Sequence, residues 1–314
     1  AEQWGRIMGC GYVSDLNEHI RSGQISDVIQ VAEALHEKKI AHIADFIAEK
    51  RGAVRVILIA GPSSSGKTTF AQRLTIQLRV NGLRPVSVSL DDYFVDRHLT
   101  PVDENGDYDF EAIEAIDLAL FNDHLIQLLD GEEVAIPYYN FVTGRREIRG
   151  HTVRISRDQP LIIEGIHGLN ERLTASVPRE NKVKIYISAL TQLSIDNHNR
   201  IPTTDTRLIR RLVRDSKFRS HDAVGTLKMW PSVRRGEERH IFPFQEEADI
   251  MFNSALIYEL AVLKQQAVTL LENVDRREAV YAEARRLLSF LAYFRATGPE
   301  QIPLNSIMRE FIGS

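Results

Sequence analysis

Hydrophobic positions repeat with two different spacings along the chain, and the change of spacing divides it into three parts. Between residues 26 and 51, apolar side chains recur every three or four positions, which predicts an amphipathic helix or a pair of helices. From Val54 onward short apolar runs alternate with helical patterns, and residues 256–312 return to helical spacing. We therefore expect a helical extension or linker over 1–52, an α/β domain over 53–255, and a C-terminal helical extension packed on that domain over 256–314.

The middle part alternates strands and helices in a way typical of a three-layer α/β sandwich with a mainly parallel sheet. Strands are predicted at 54–60, 85–90, 161–163, 183–187 and 250–252. Helices are predicted from Lys67 onward, over 110–130 and over 205–219. Residues 134–155 are expected to be extended, with a hairpin turn near Thr143 and Gly144.

Composition narrows the class of protein. The chain has 314 residues, 43% of them hydrophobic, and a net charge of −4. Its overall charge therefore does not favour binding to nucleic acid or to an anionic membrane. One cysteine, Cys10, excludes an internal disulfide framework and fits a reducing compartment. Because no apolar run reaches the 18 or so residues of a membrane span and no signal peptide is recognisable, we expect a cytoplasmic enzyme.

The strongest motif is a phosphate-binding loop (P-loop) between the first predicted strand and the following helix. Residues 61–68 match G-x-x-x-x-G-K-[ST] and predict binding of a nucleoside triphosphate such as ATP. Backbone N–H groups and the positive helix end would surround the phosphates, Lys67 would reach the β- and γ-phosphates, and the Thr68 hydroxyl would hold Mg²⁺. The alternative is a chance glycine turn. The predicted nucleotide-binding residues are Gly61, Pro62, Ser63, Ser64, Ser65, Gly66, Lys67, Thr68 and Thr69.

Acidic residues follow two of the predicted strands, at the sheet edge where ligands bind in open α/β folds. Asp91 and Asp92 follow the second strand, and either one could orient an acceptor hydroxyl and take its proton. Capping of a turn is the alternative. Glu164 ends the next strand, where it could hold Mg²⁺ through water.

Two further clusters could bind ligands. Arginines at three- and four-residue spacing would form one cationic side of the 205–219 helix: Arg207, Arg210, Arg211 and Arg214, with Lys217 and Arg219 beyond. The stripe is either a phosphate clamp or a solvated, salt-bridged face, and the small number of neighbouring acids favours phosphate. Residues 137–141 combine aromatic rings with an amide, which suits stacking on a nucleobase or ordinary core packing.

In order, these segments resemble the uridine kinase branch of the phosphoribulokinase/uridine kinase family. The resemblance covers residues 54–255: Ser89-Leu90-Asp91 before aromatics, Ile136 to Val142, Glu164-Gly165-Ile166, and Asp205 to Asp215 without a gap. It implies that Asp91 is the general base and lies at the Mg²⁺ site with Thr68 and Glu164. It also implies that Tyr139 and Phe141 line a nucleoside pocket, that Asp109 or Glu111 holds the ribose hydroxyls, and that Arg211, Arg214 and Arg219 form a lid over the phosphates, with Arg211 also facing the acceptor.

The chain departs from this family pattern in four places. Gly144 replaces a pocket histidine, and His221 replaces a lid arginine. The ribose-binding aspartate appears as Glu111 or is displaced to Asp109, and about ten extra residues at 194–203 precede the lid helix. The flanks also look like a longer bacterial group in which a threonyl-tRNA-synthetase-like region precedes the kinase, and residues 1–52 would then be the linker between the two.

The resemblance and the motifs together lead to the expectation of an ATP- and Mg²⁺-dependent kinase that phosphorylates the 5′-hydroxyl of a nucleoside. Whether it forms a homo-oligomer is left open by the sequence. Two alternatives stay open. The chain could be a kinase for a sugar, polyol or cofactor precursor. It could also be a nucleotide-dependent regulatory or RNA-associated module, although no nucleic-acid partner is expected for this segment.

Overall fold

A computed structural model describes residues 9–313, and its centre is a five-stranded parallel sheet. The sheet strands are β1 (Val56–Ala60), β2 (Val86–Ser89), β7 (Leu161–Glu164), β8 (Lys182–Ser188) and β9 (Ile250–Asn253). Their spatial order is β2-β7-β1-β8-β9, with every pair parallel. The phosphate-binding loop leaves the middle strand, between neighbours on both sides, which is where ligands sit in sheets of this kind. The mainly parallel α/β prediction is confirmed.

Helices cover both faces of the sheet. They are α1 (Val13–Arg21), α2 (Ile25–Glu49), α3 (Lys67–Val80), α4 (Leu118–Asp130), α5 (Thr203–Phe218), α6 (Ala223–His240), α7 (Glu259–Glu272), α8 (Tyr281–Leu291) and the short α9 (Arg309–Ile312). Alternate residues of β1 point to two cores: Ile57 and Ile59 pack with the helices of one face, and Val56 and Leu58 pack with α4 on the other. The layers are therefore helix, sheet and helix. None of the helices described is long and apolar enough to cross a membrane.

The N-terminal and C-terminal helices share the core of the α/β part. Residues of α1, α2, α7, α8 and α9 belong to one continuous apolar cluster with β1 and β8. Arg73 of α3 adds a polar link, because its guanidinium pairs with Glu37 of α2 at 2.7 Å and with Glu33 at 3.4 Å. The extra residues before α5 also contact the N-terminal segment, where the Val13 N–H donates to the Ser194 carbonyl at 3.0 Å.

Four small strands form the extended region predicted between residues 134 and 155. β3 (Val134–Ala135) pairs with β6 (Thr152–Val153), and β4 (Tyr138–Asn140) pairs with β5 (Arg145–Glu147), both antiparallel. The β4–β5 turn lies at residues 141–144, as predicted.

The helix expected over 110–130 is shorter than predicted. α4 starts only at Leu118, because the Asp117 carboxylate caps it by accepting the Leu120 N–H at 3.1 Å. The residues before it form loops and a short 3₁₀ turn at Ile113–Ala115. Ala112, Ile113, Ala115 and Ile116 are therefore buried in a loop and a short turn, although their spacing predicted a helix, and Phe110 is exposed.

Candidate active site

The phosphate-binding loop has the backbone geometry that its sequence demands. Gly66 has φ +87°, and a Cβ there would lie 2.7 Å from Ile307. A Cβ on Gly61 would lie 2.2 Å from the Ile187 carbonyl oxygen. α3 then begins at Lys67, as predicted, and the Lys67 Nζ lies 3.3 Å from the Pro62 carbonyl oxygen. Strand, loop and helix end thus form an anion-binding cradle.

Arg207 of α5 braces this loop from behind. Its Nε donates to the Ser63 carbonyl at 2.9 Å, and its guanidinium pairs with the buried Glu237 of α6. Glu237 also accepts the Ser63 N–H at 3.1 Å. Arg207 is 2% exposed, so this ion pair is shielded from water and holds the loop in position.

Arg210, one turn further along α5, makes a second brace. Its Nη1 donates to the Ser64 carbonyl at 3.3 Å, and its Nε donates to Glu259 at 2.8 Å. Both side chains are buried, with exposures of 0% and 1%. The inference that the arginine stripe lacks acidic partners is therefore wrong for Arg207 and Arg210, because their partners come from α6 and α7.

The remaining arginines of the stripe gather around one carboxylate. Asp215 accepts from Arg214 at 2.7 Å and from Arg211 at 3.2 Å, and it lies 3.9 Å from Arg219. Arg211 also donates to the Ser63 hydroxyl at 2.9 Å, which brings the group to the phosphate-binding loop. Burial and then the charge of Arg214 lower the pKa of Arg219 to about 10. Three guanidinium groups on one acid leave positive charge for an anionic ligand.

Oxygen ligands converge at the strand-end position predicted for Mg²⁺. Glu164 accepts from the Ser89 hydroxyl at 3.0 Å and lies 3.4 Å from the Thr68 hydroxyl. Burial, followed by the charge of Asp91, raises the pKa of Glu164 to about 7. A carboxylate with a raised pKa beside a hydroxyl suits a divalent cation, which would favour the ionised form. Across residues 9–313 no group of three or more His, Cys, Asp or Glu side chains is arranged for a metal, but Mg²⁺ bound with phosphates and water needs fewer protein ligands.

The two candidate bases differ in their surroundings. β2 ends at Ser89, and a 3₁₀ turn, Leu90–Tyr93, carries both aspartates. Asp92 lies 3.4 Å from the Tyr139 N–H of the hairpin, and burial raises its pKa. Asp91 interacts electrostatically with Glu164 and Arg219 instead. Of the two, Asp91 is therefore the one near Glu164 and Arg219, whereas Asp92 contacts the hairpin.

The acids expected to hold ribose hydroxyls lie beside α6. Asp109 accepts the Glu111 N–H at 3.2 Å and contacts the His240 ring at 3.0 Å. Glu111 packs on Gly236, and burial followed by the charge of Glu237 raises its pKa to about 7. Its Oε2 atom is buried and has no hydrogen-bond partner in the described part of the chain, so it can still accept from a ligand hydroxyl.

The aromatic pair of the hairpin divides between core and surface. Tyr139 is 4% exposed and Phe141 is 39% exposed, with their ring centroids 5.1 Å apart. The Arg219 guanidinium lies 4.8 Å from the Phe141 ring centroid, which links the hairpin to the arginine cluster. Gly144 faces Arg97, which lies 2.7 Å from where a Cβ would be. Arg97 therefore occupies the space beside Gly144, the position where the family pattern has a histidine.

Sequence reasoning missed four polar residues of this region: Ser89 as a partner of Glu164, the two carboxylates Glu237 and Glu259, and Glu310 near the C-terminus. The Glu310 carboxylate accepts from the Thr69 N–H at 3.2 Å and from its hydroxyl at 3.0 Å. Glu237 and Glu259 lie 30 and 49 residues from their arginines, so no local spacing pointed to them. For Ser89, the available signal was its place at the end of a predicted strand, two residues before Asp91.

Fold and site together define a P-loop nucleotide-binding protein of the α/β class. The chain belongs to the phosphoribulokinase/uridine kinase family, whose model matches residues 56–259. It is 28% identical over 268 residues to a uridine kinase of Schizosaccharomyces pombe, covering 81% of this chain and 54% of that protein. It is 29% identical over 204 residues to a uridine kinase of Saccharomyces cerevisiae, covering 63% of this chain and 36% of that protein.

A shorter relative is covered more completely. The chain is 28% identical over 198 residues to a uridine kinase of Chloroflexus aurantiacus, covering 63% of this chain and 85% of that protein. The two yeast proteins are longer, and this chain spans about half of the first and about a third of the second.

Proposed function

We propose that this chain is an ATP- and Mg²⁺-dependent kinase that transfers the γ-phosphate to the 5′-hydroxyl of a uridine- or cytidine-like nucleoside. The observation that carries the proposal is the meeting of three groups at one sheet edge. These groups are the P-loop with Lys67, the oxygen pair of Thr68 and Glu164, and the arginines around Asp215. Phosphoryl transfer needs positioning and positive charge rather than covalent chemistry, and this edge offers both.

The chain's own residues would divide the work. Backbone N–H groups of the P-loop and Lys67 would hold the β- and γ-phosphates. Arg211 and Arg214 would stabilise charge on the transferring group. Thr68 and Glu164, with Asp91 beside them, would hold Mg²⁺. When bound, this ion would neutralise negative charge on the phosphates. Asp91 would orient the acceptor hydroxyl and take its proton.

The nucleoside part of the proposal rests on the hairpin side of the site and on the relatives named uridine kinase. Phe141 offers an exposed ring face beside Arg219, and the unpartnered Oε2 of Glu111 suits a ribose hydroxyl. Gly144 and Arg97 occupy the position where the family pattern has a pocket histidine. A different hydroxylated acceptor is therefore the alternative, and a panel of acceptors must distinguish it from a nucleoside.

The test is ADP release by the purified chain with MgATP and a panel of nucleosides, sugars and polyols. We expect uridine or cytidine to stimulate release most. Lys67→Met should lower the stimulated rate by several orders of magnitude, because loss of fixed charge on the phosphate costs about 3–5 kcal/mol of barrier. Strong stimulation by a sugar or polyol alone would reassign the acceptor. Turnover that no acceptor stimulates would favour the nucleotide-dependent regulatory module.

We also place this activity in the cytoplasm, where ATP is abundant and the buried thiol of Cys10 stays reduced.

A further inference from the structure

The C-terminal segment places an acidic side chain on the nucleotide-binding loop. Glu310 belongs to α9, which lies outside the residues matched by the family model. Its carboxylate accepts two hydrogen bonds from Thr69, one from the backbone N–H at 3.2 Å and one from the hydroxyl at 3.0 Å. The two residues are 241 positions apart, so the contact arises only in the folded chain.

Thr69 lies in the first turn of α3, where backbone N–H groups have no partner within the helix. In a P-loop these groups cradle the phosphates of the nucleotide. A carboxylate there uses the same N–H donor and the same positive helix end that a phosphate would use. The Glu310 carboxylate and a phosphate cannot both bind the Thr69 N–H group, because two negative charges so close together repel each other.

We propose that Glu310 is a built-in competitor of the nucleotide, which sets the affinity of the P-loop for phosphate by occupying the Thr69 end of the cradle. The proposal rests on the proposed function, because it assumes that the loop binds a nucleoside triphosphate. It adds a determinant of donor affinity that lies outside the family-matched residues.

The contacts around α9 favour displacement of the Glu310 side chain alone, with the rest of the segment in place, when a nucleotide binds. Ile307 and Phe311 are fully buried, and the Phe311 ring centroid lies 5.0 Å from the Arg210 guanidinium. The Lys217 ammonium also donates to the Ile312 carbonyl at 2.6 Å. These contacts anchor both ends of α9, whereas the Glu310 side chain is only half buried.

A neighbouring cleft gives the displaced side chain room. It has a volume of about 510 Å³ and opens between the first turns of α3 and the C-terminal segment. Its lining residues include Thr68, Thr69, Gln72, Leu304, Asn305 and Glu310 itself. Rotation of one side chain into this cleft would free the Thr69 N–H without breaking the apolar contacts of α9.

The test compares ATP dissociation constants, measured calorimetrically with Mg²⁺, for the wild type, Glu310→Gln and Glu300→Gln. Glu310→Gln keeps the shape and removes the charge, so we expect its affinity to be at least about threefold tighter, an electrostatic effect of ordinary size. Glu300 is an exposed carboxylate ten positions upstream and serves as the matched control, with no expected change. Inorganic tripolyphosphate should show the same tightening, because the competition concerns phosphate and not the base.

Each outcome decides the proposal. An unchanged or weaker ATP affinity of Glu310→Gln, with a wild type that binds ATP, would overturn the competitor role and leave the proposed function standing. Tightening for ATP but not for tripolyphosphate would also overturn it. If Glu310→Gln lowers the melting temperature, Glu310→Ala and Glu310→Asp replace it, with tightening expected only for the alanine variant. Absence of ATP binding in the wild type and in every variant would instead defeat the proposed function.

Discussion

The arginines of helix α5 fall into two groups that differ in what holds them. Arg207 and Arg210 each pair with a different buried carboxylate, Glu237 or Glu259, and donate to carbonyl groups of the P-loop. Arg211 and Arg214 share Asp215, and Arg211 contacts the loop through the Ser63 hydroxyl. The first group is neutralised and shapes the loop. The second group carries surplus positive charge, and we propose that this charge binds phosphate.

This difference shows why a run of like residues on one helix does not define one function. Successive members of the four are one or three positions apart, and all are at most 9% exposed. What separates them is the supply of acids from α6 and α7. We expect loss of the first group's partners to affect stability and loss of the second group to affect catalysis.

The largest effect should come from removing a partner of the bracing group. Glu259→Gln leaves the Arg210 guanidinium buried without its counter-charge, which should cost about 3–5 kcal/mol of unfolding free energy. Urea unfolding measures it. Glu283→Gln is the matched control, because that carboxylate pairs with Arg286 at a more exposed position and its loss should cost less than about 1 kcal/mol. Equal, small losses in both variants would remove the structural role from Arg210.

Removing the second group should affect the rate instead. Arg211→Ala and Arg214→Ala should each lower kcat by about 10²–10³-fold with a smaller effect on KM for ATP, since their charge pairs best with the transition state. Steady-state kinetics and melting temperatures are measured together. Arg286→Ala, which removes an arginine paired with Asp205 at the start of the same helix, is the control and should keep kcat. A loss of stability with kcat preserved would mean that Arg211 and Arg214, like Arg207 and Arg210, have a structural role only.

The smallest expected effect concerns Glu111, which lies beside both groups. Its pKa is raised from 4.5 to about 7, by burial first and then by Glu237, while Arg211, Lys67 and Arg207 act in the opposite direction. The folded protein therefore holds a proton that the unfolded chain releases. Stability from this group is present below about pH 4.5 and is lost as the pH rises through about 7.

Glu111→Gln should remove this dependence. Unfolding free energies of wild type and variant, compared at pH 5 and pH 8, should diverge by up to about 3 kcal/mol, with the wild type losing stability at the higher pH. Parallel behaviour of the two proteins would mean that the carboxyl is already ionised in the folded state.

The parts of the site that could be predicted from sequence are those made by short segments. The P-loop, the start of α3 at Lys67 and the strand-end Glu164 follow from neighbouring residues, because strand, turn and helix spacing are local. The five sheet strands were predicted for the same reason. Their alternation with helices also gave the parallel arrangement.

The parts that could not be predicted depend on residues brought together by folding. From distant helices, Glu237 contacts Ser63, Glu310 contacts Thr69 and Glu259 contacts Arg210. No periodicity in the sequence connects these three acids with their partners. The start of α4 was misplaced because capping by Asp117 overrides the apolar spacing before it. The division of the arginines between two roles likewise needed the positions of α6 and α7.

The central claim is transfer of phosphate to a nucleoside hydroxyl with Asp91 as the base. The most direct measurement is ³¹P NMR of the products formed from MgATP and uridine by the wild type, Asp91→Asn and Asp92→Asn. We predict a 5′-phosphomonoester of uridine and ADP in equal amounts for the wild type. Asp91→Asn should form it about 10²–10⁴-fold more slowly, and Asp92→Asn should be much less affected. ADP and inorganic phosphate without any phosphomonoester, or an unimpaired Asp91→Asn, would contradict the account.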